Sequence, residues 1–92
     1  MYSMNYLIID AREPNEYKQS HVEGAVNLSS MQFMSGLPSQ LADTPRDQPI
    51  IVYCRSGARS NTVAQILSMN GFTNVKNGIN EGHVAQFLKN HR

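Results

Sequence analysis

The chain's only cysteine, Cys54, stands in the run Tyr53-Cys54-Arg55-Ser56-Gly57-Ala58-Arg59-Ser60. A thiol attacks as its thiolate, and cations or backbone N–H donors near the sulfur favour that form. Arg55 and Arg59 supply the cations. A compact apolar run, Pro49-Ile50-Ile51-Val52-Tyr53, precedes the cysteine, and a helical pattern from Asn61 to Asn70 follows it. A helix starting near Ser60 turns its unpaired N–H groups and positive dipole end back into the loop. These residues describe a nucleophilic sulfur facing an anion. The alternative is an inert buried thiol, the common fate of a lone cysteine. Its place between an apolar strand and a polar loop argues against that.

The elements that must position this loop can be read in order. Tyr6-Leu7-Ile8-Ile9-Asp10 is an apolar run ending in a charge, as in a strand buried on both faces. Pro14 suits the first position of a short helix fading by Ser20-His21, with Glu13 and Glu16 at its positive end. A turn at Val22-Glu23-Gly24 leads to a short strand, Ala25–Leu28. Ser29 or Ser30 caps a helix through Met31–Met34, limited by Gly36 and Pro38. Leu37 and Leu41 suggest one more turn, and residues 43–49 form a proline-bounded loop. The helix after the cysteine carries Val63, Ile66, Leu67 and Asn70 on one stripe and ends at Gly71. Phe72–Lys76 reads as a last short strand and Gly78–Gly82 as a second glycine-rich loop. A terminal helix begins at His83, with Val84, Phe87 and Leu88 on its apolar side.

Strands alternating with helices imply a doubly wound parallel sheet of four to five short strands, with helices on both faces. Sites in such sheets lie beyond the carboxyl ends of the strands. Asp10 and Cys54 both fall there. Ninety-two residues with 40% hydrophobic content suit one globular domain. A net charge of +1 offers no field to recruit nucleic acid or an acidic membrane. One cysteine excludes an internal disulfide and suits a reducing compartment. No run has signal-peptide or transmembrane character, so a cytoplasmic protein with no membrane partner is expected. His83 and His91 lack metal-ligand spacing with each other or with Cys54, so neither metal nor cofactor is expected.

Asp10-Ala11-Arg12, Glu16-Tyr17, His21-Val22-Glu23-Gly24-Ala25 and Asn27-Leu28 resemble the front half of a single-domain rhodanese. Val52 through Ser60 resembles that family's active loop, and Gly71-Phe72 with Asn74-Val75 also follows its pattern. The resemblance spans about Leu7 to Gly78. It implies an α/β domain whose cysteine carries sulfur as a persulfide from a donor such as thiosulfate to cyanide or a thiol. Cys54 would be the carrier, and Arg55, Ser56, Gly57, Ala58, Arg59 and Ser60 the cradle for a small sulfur-containing anion. Asp10 and Arg12 would frame the site. Two departures stand out. The family's Gly-Gly pair and aromatic after the last strand are replaced by Asn77–His83, without a tryptophan. The helix and edge strand that often precede the first core strand are expected to be absent.

The chemistry implied is double displacement, in which loop amides and cations hold first a thiolate, then a persulfide and a departing anion. Cys54 to Arg59 forms a six-residue loop. Phosphatases that share the rhodanese architecture enclose one residue more, and the shorter ring suits sulfur rather than phosphate. A different class of function is a rhodanese-like module that binds a partner or senses oxidants through Cys54. A thioredoxin-like protein could serve as acceptor. For several residues a plain structural role competes with substrate contact. Arg59 can pair with Asp10, and Asp10 with Arg59 or Arg12. Arg12 can recognise an anion or pair with Glu13 or Glu16. Ser56 and Ser60 can donate to an anion or satisfy the loop backbone. His21 suits packing or hydrogen bonding rather than proton transfer.

Overall fold

Ile8 and Ile51 bury their side chains on one face of a sheet while Leu7, Ile9, Ile50 and Val52 bury theirs on the other. Consecutive residues of both strands thus enter opposite cores, which is why these segments are apolar without alternation. The computed structural model describes residues 2–3 and 5–90. Its strands are β1 (Tyr2–Ser3), β2 (Tyr6–Asp10), β3 (Val26–Asn27), β4 (Ile50–Cys54) and β5 (Val75–Asn80). The helices are α1 (Pro14–Gln19), α2 (Ala58–Met69) and α3 (Glu81–Asn90), with 3₁₀ turns at Ser30–Phe33 and Ser39–Leu41.

β2, β4 and β5 run parallel in that order, and β3 pairs in parallel with the end of β2. β1 pairs antiparallel with the start of β2 through Tyr2↔Leu7 and Ser3↔Tyr6. An edge strand therefore does precede the first core strand, contrary to expectation. Asn5 makes this tight reversal possible by taking φ 70°, a conformation asparagine tolerates. Val63 and Leu67 of α2 close one core with Phe33, Leu41 and Phe72, and Val84 and Leu88 of α3 close the other with Val22, Ala25 and Tyr53. Among the described residues no helix is long and apolar enough to cross a membrane.

The start of α2 and the course of residues 72–82 differ from the sequence reading, whereas Gly71 ends α2 as expected. α2 begins at Ala58, so Ala58, Arg59 and Ser60 are its first helical residues. Asn70 follows the helix as an exposed cap, and Gly71 and Phe72 donate their N–H groups back to Ser68 and Leu67, as a Schellman ending requires. The largest correction concerns residues 72–82. The last strand is Val75–Asn80, and Glu81 and Gly82 already belong to α3, so no glycine-rich loop exists there. Gly78 is an extra residue in the strand: Val52 pairs with Asn77, but Tyr53 pairs with Ile79. A side chain at Gly78 would collide with Val84 and Ile51, so its glycine serves a close approach of α3 to the sheet rather than a turn.

Candidate active site

The parallel register sets Asp10 beside Tyr53 and Cys54 beside Asn80, so the ends of β2, β4 and β5 converge. An open cavity of about 240 Å³ there is lined by Arg12, Cys54, Arg55, Asn80, Glu81 and Gly82. Cys54 is 1% exposed. After it the chain turns through Gly57, whose φ of 94° is reached without strain only by glycine. That turn aims N–H groups at the sulfur. Gly57 donates to Sγ at 3.2 Å and Ser60, in the first turn of α2, at 3.4 Å. Burial pushes the thiol's pKa up. The Ser60 hydroxyl and the N–H groups of Ser60, Gly57 and Ser56 outweigh it and bring the value down to about 7.

Ser60 Oγ lies 3.4 Å from the sulfur and donates to Asn77 Oδ1 at 2.7 Å. Asn77 Oδ1 also accepts from Ile79 N–H at 3.0 Å, while Asn77 Nδ2 donates to the Gly57 carbonyl at 3.0 Å. These partners fix the amide's orientation, since a flipped amide would face donors with its NH₂ group. Asn77 thus ties the loop to the β5 bulge. It also competes with the sulfur for the one Ser60 hydroxyl proton.

Arg12 lines the same cavity and is paired with Asp10. Asp10 is wholly buried, and its carboxylate accepts from the Arg12 N–H at 2.9 Å, Arg12 Nε at 2.9 and 3.1 Å, and Arg12 NH2 at 2.7 Å. Tyr53 Oη donates to the same carboxylate at 3.0 Å and accepts from Val22 N–H. Burial, chiefly, raises the Tyr53 pKa above its ordinary range, keeping the phenol a donor. The hydrogen bonds to Asp10 raise the Arg12 pKa further, and NH2 also donates to the Ser20 carbonyl at 2.6 Å. Asn27 Nδ2 donates to the carbonyls of Asp10 and Arg12.

Of the predicted residues, Asp10, Arg12, Cys54, Gly57 and Ser60 are buried at the site, while Arg55, Ser56 and Ala58 are exposed along the loop. Arg59 is half-buried, and two pairings expected for it and Arg12 need correction. Arg59 does not meet Asp10; its NH1 and NH2 reach Glu16 at 3.0 and 3.3 Å. Arg12 pairs with Asp10 rather than with Glu13 or Glu16, because two residues of separation at a strand end let the guanidinium fold straight back. The Glu16 hydrogen bond, foremost, and then the Cys54 thiolate raise the Arg59 pKa. His21 stacks on Tyr17 with ring centroids 3.7 Å apart and hydrogen-bonds the Tyr17 carbonyl, the packing role expected for it. His83 Nδ1 lies 3.1 Å from the Gly78 carbonyl, and His91 is outside the described residues.

Asn77, Asn80 and Glu81 were missed as site residues. Asn80 Oδ1 accepts the His83 N–H at 2.8 Å and so starts α3, and Glu81 lines the cavity. A polar residue on each side of a strand end was the only sequence signal, and Asn-Gly there reads more readily as a turn.

The chain is similar to known proteins in sequence and in fold. The chain is 37% identical over 70 residues to the uncharacterized protein YqhL of Bacillus subtilis (strain 168), covering 76% of this chain and 52% of that protein. It is 35% identical over 69 residues to the thiosulfate sulfurtransferase PspE of Escherichia coli (strain K12), covering 75% of this chain and 64% of that protein. The chain thus spans between half and two thirds of the length of these relatives. The solved structure of a rhodanese with anions from E. coli superposes with a TM-score of 0.73 at 30% identity, covering 87% of this chain and 92% of that one. The family model for the Rhodanese-like domain matches residues 2–84, and the chain belongs to that family.

Proposed function

We propose that this chain is a sulfurtransferase that carries sulfane sulfur as a persulfide on Cys54, taken from thiosulfate or a persulfide donor and passed to cyanide or a thiol. The observation that carries the reading is the sulfur itself: nearly buried, under two loop N–H donors, with a pKa of about 7. At neutral pH a large share of it is thiolate. With thiosulfate, that thiolate attacks the outer sulfur, the S–S bond breaks, and sulfite leaves with the bonding pair. The persulfide's terminal sulfur is then attacked by the acceptor, which restores the thiolate. The N–H groups of Ser56, Gly57 and Ser60 face negative charge in both steps and need not reorganise between them. Arg55 is the loop cation that meets the incoming anion. A thioredoxin-like protein fits the acceptor role because the cavity is open.

Mass spectrometry tests this directly. Thiosulfate or a persulfide donor should add one sulfur atom to Cys54, and cyanide or a thiol should remove it. Cys54→Ser should abolish the adduct, and Arg55→Ala should lower kcat/KM for thiosulfate in a folded protein. No adduct with any donor, or turnover undiminished in Cys54→Ser, would defeat the proposal.

A further inference from the structure

Glu81 lines the sulfur cavity together with Arg12, Cys54 and Arg55. Its Oε1 accepts from Ser20 Oγ at 2.9 Å and lies 3.9 Å from Arg12 NH1, so the carboxylate is held between those two groups. Arg12 already gives its charge to buried Asp10, and Arg59 gives its own to Glu16. Among the described residues, Arg55 is therefore the one guanidinium at the loop without a carboxylate partner. Once Cys54 ionises, the guanidiniums of Arg12, Arg55 and Arg59 stand against four anions: Asp10, Glu16, Glu81 and the thiolate.

Two helix N-termini oppose this negative balance only in part. The start of α2 is already directed at the thiolate through the Ser60 N–H. The start of α3 carries Glu81 in its own first turn and gives its His83 N–H to Asn80. The reactive cavity is thus short of positive charge, which suits some sulfur donors better than others. Thiosulfate brings two negative charges to the sulfur. A persulfide brings at most one on the reacting group, or none when protonated.

We propose that Glu81 is a specificity-determining residue that disfavours dianionic donors, so that a thiol-derived persulfide rather than thiosulfate is the efficient sulfur source. The inference rests on the sulfurtransferase reading and names its donor class. The reaction with such a donor balances simply. The Cys54 thiolate bonds to the terminal sulfur of R–S–SH, the donor's S–S bond breaks, and the thiolate R–S⁻ leaves. The proton stays on the transferred sulfur. No oxidant or further reactant is needed.

The test measures the rate of Cys54 persulfide formation from thiosulfate and from cysteine persulfide across a range of NaCl concentrations. Screening weakens repulsion between like charges, so loading of the wild-type chain from thiosulfate should speed up as salt rises. Glu81→Gln should raise the thiosulfate-to-persulfide ratio of kcat/KM roughly three- to tenfold, the size expected for one partly solvated charge acting on a dianion. It should also flatten the salt dependence. A wild-type thiosulfate rate that falls with salt, or a ratio unmoved by Glu81→Gln, would overturn the selector while leaving sulfur transfer intact. The salt slope needs no variant, so a poorly folded Glu81→Gln would not protect the proposal. Absence of loading from both donors would overturn the sulfurtransferase reading and the selector with it.

Discussion

On the β2 side of the cavity Asp10, Arg12 and Tyr53 are buried and each has its partner, whereas on the β5 side the chain is bulged, half exposed and held by two asparagines. Asp10, Arg12 and Tyr53 form a closed network in which a wholly buried carboxylate accepts from both other residues. At the end of β5, Asn77 and Asn80 tie down a strand where Ile79 takes φ 73°, a costly conformation for a β-branched residue. The first side resists change because each member would leave another unpaired in a medium that cannot solvate it. The second can tolerate variation in its outer residues, and that is where Glu81 sits.

The largest effect expected from this contrast is on stability. Asp10→Ala strips Arg12 of its hydrogen-bonded carboxylate and Tyr53 of its acceptor, leaving the buried cation only the more distant Glu81. It should cost about 3–5 kcal/mol. Asn77→Ala on the β5 side loses neutral hydrogen bonds at a half-buried position and should cost about 1–2 kcal/mol. Urea midpoints of the two variants measure the difference. Equal midpoints would mean that the two sides do not differ in the way their burial implies.

The same contrast governs how much the sequence disclosed. The core strands at Tyr6–Asp10 and Ile50–Cys54 were legible because an apolar run buried on both faces has no other comfortable state. The loop was legible because Gly57 and the helix after it follow local rules, and the actual start of α2 brought the Ser60 N–H to the sulfur as expected. The Asp10–Arg12 pairing was one of two options, and proximity in sequence decided it. Residues 77–82 were not legible. A bulge depends on the register of two strands, and Gly78 is required by Val84, a residue on a different element. Glu16 meeting Arg59 depends likewise on how α1 docks beside α2, across 43 residues.

A middle-sized effect should appear in the ionisation of Cys54. Iodoacetamide reacts with the thiolate, so its rate in the wild type should rise with a midpoint near pH 7. The folded pKa lies below the ordinary 9.0, so the stabilisation it brings is full above about pH 9 and is lost as pH falls through about 7. Ser60→Ala removes a donor and should move the midpoint up. Asn77→Ala removes the competing acceptor for the Ser60 proton and should move it down by up to about one unit, worth about 1.4 kcal/mol. A merely looser loop would move it up instead. In the Asn77→Ala background, Ser60→Ala should then have a larger effect than in the wild type, and equal effects would show that Asn77 does not direct that proton.

The smallest effect belongs to the outer brace between α1 and α2. Hydrogen bonds from Arg59 and from the Glu13 N–H bring the Glu16 pKa down to about 2, so its stabilisation is full above about pH 4.5 and is lost as pH falls through about 2. The pair is partly solvated, with side-chain exposures of 34% for Arg59 and 18% for Glu16, so water and salt screen it. Glu16→Gln should therefore cost at most about 1 kcal/mol at neutral pH, and less in high salt. Thermal unfolding at pH 7 and pH 3 checks the sign, because the variant should lose less stability than the wild type between those values. The same substitution frees the Arg59 guanidinium, whose charge the Cys54 thiolate also feels. Alkylation of Cys54 at pH 6 should become slightly faster. A cost approaching that of Asp10→Ala, or slower alkylation, would mean that this exposed pair holds the loop in shape rather than diverting a cation from it.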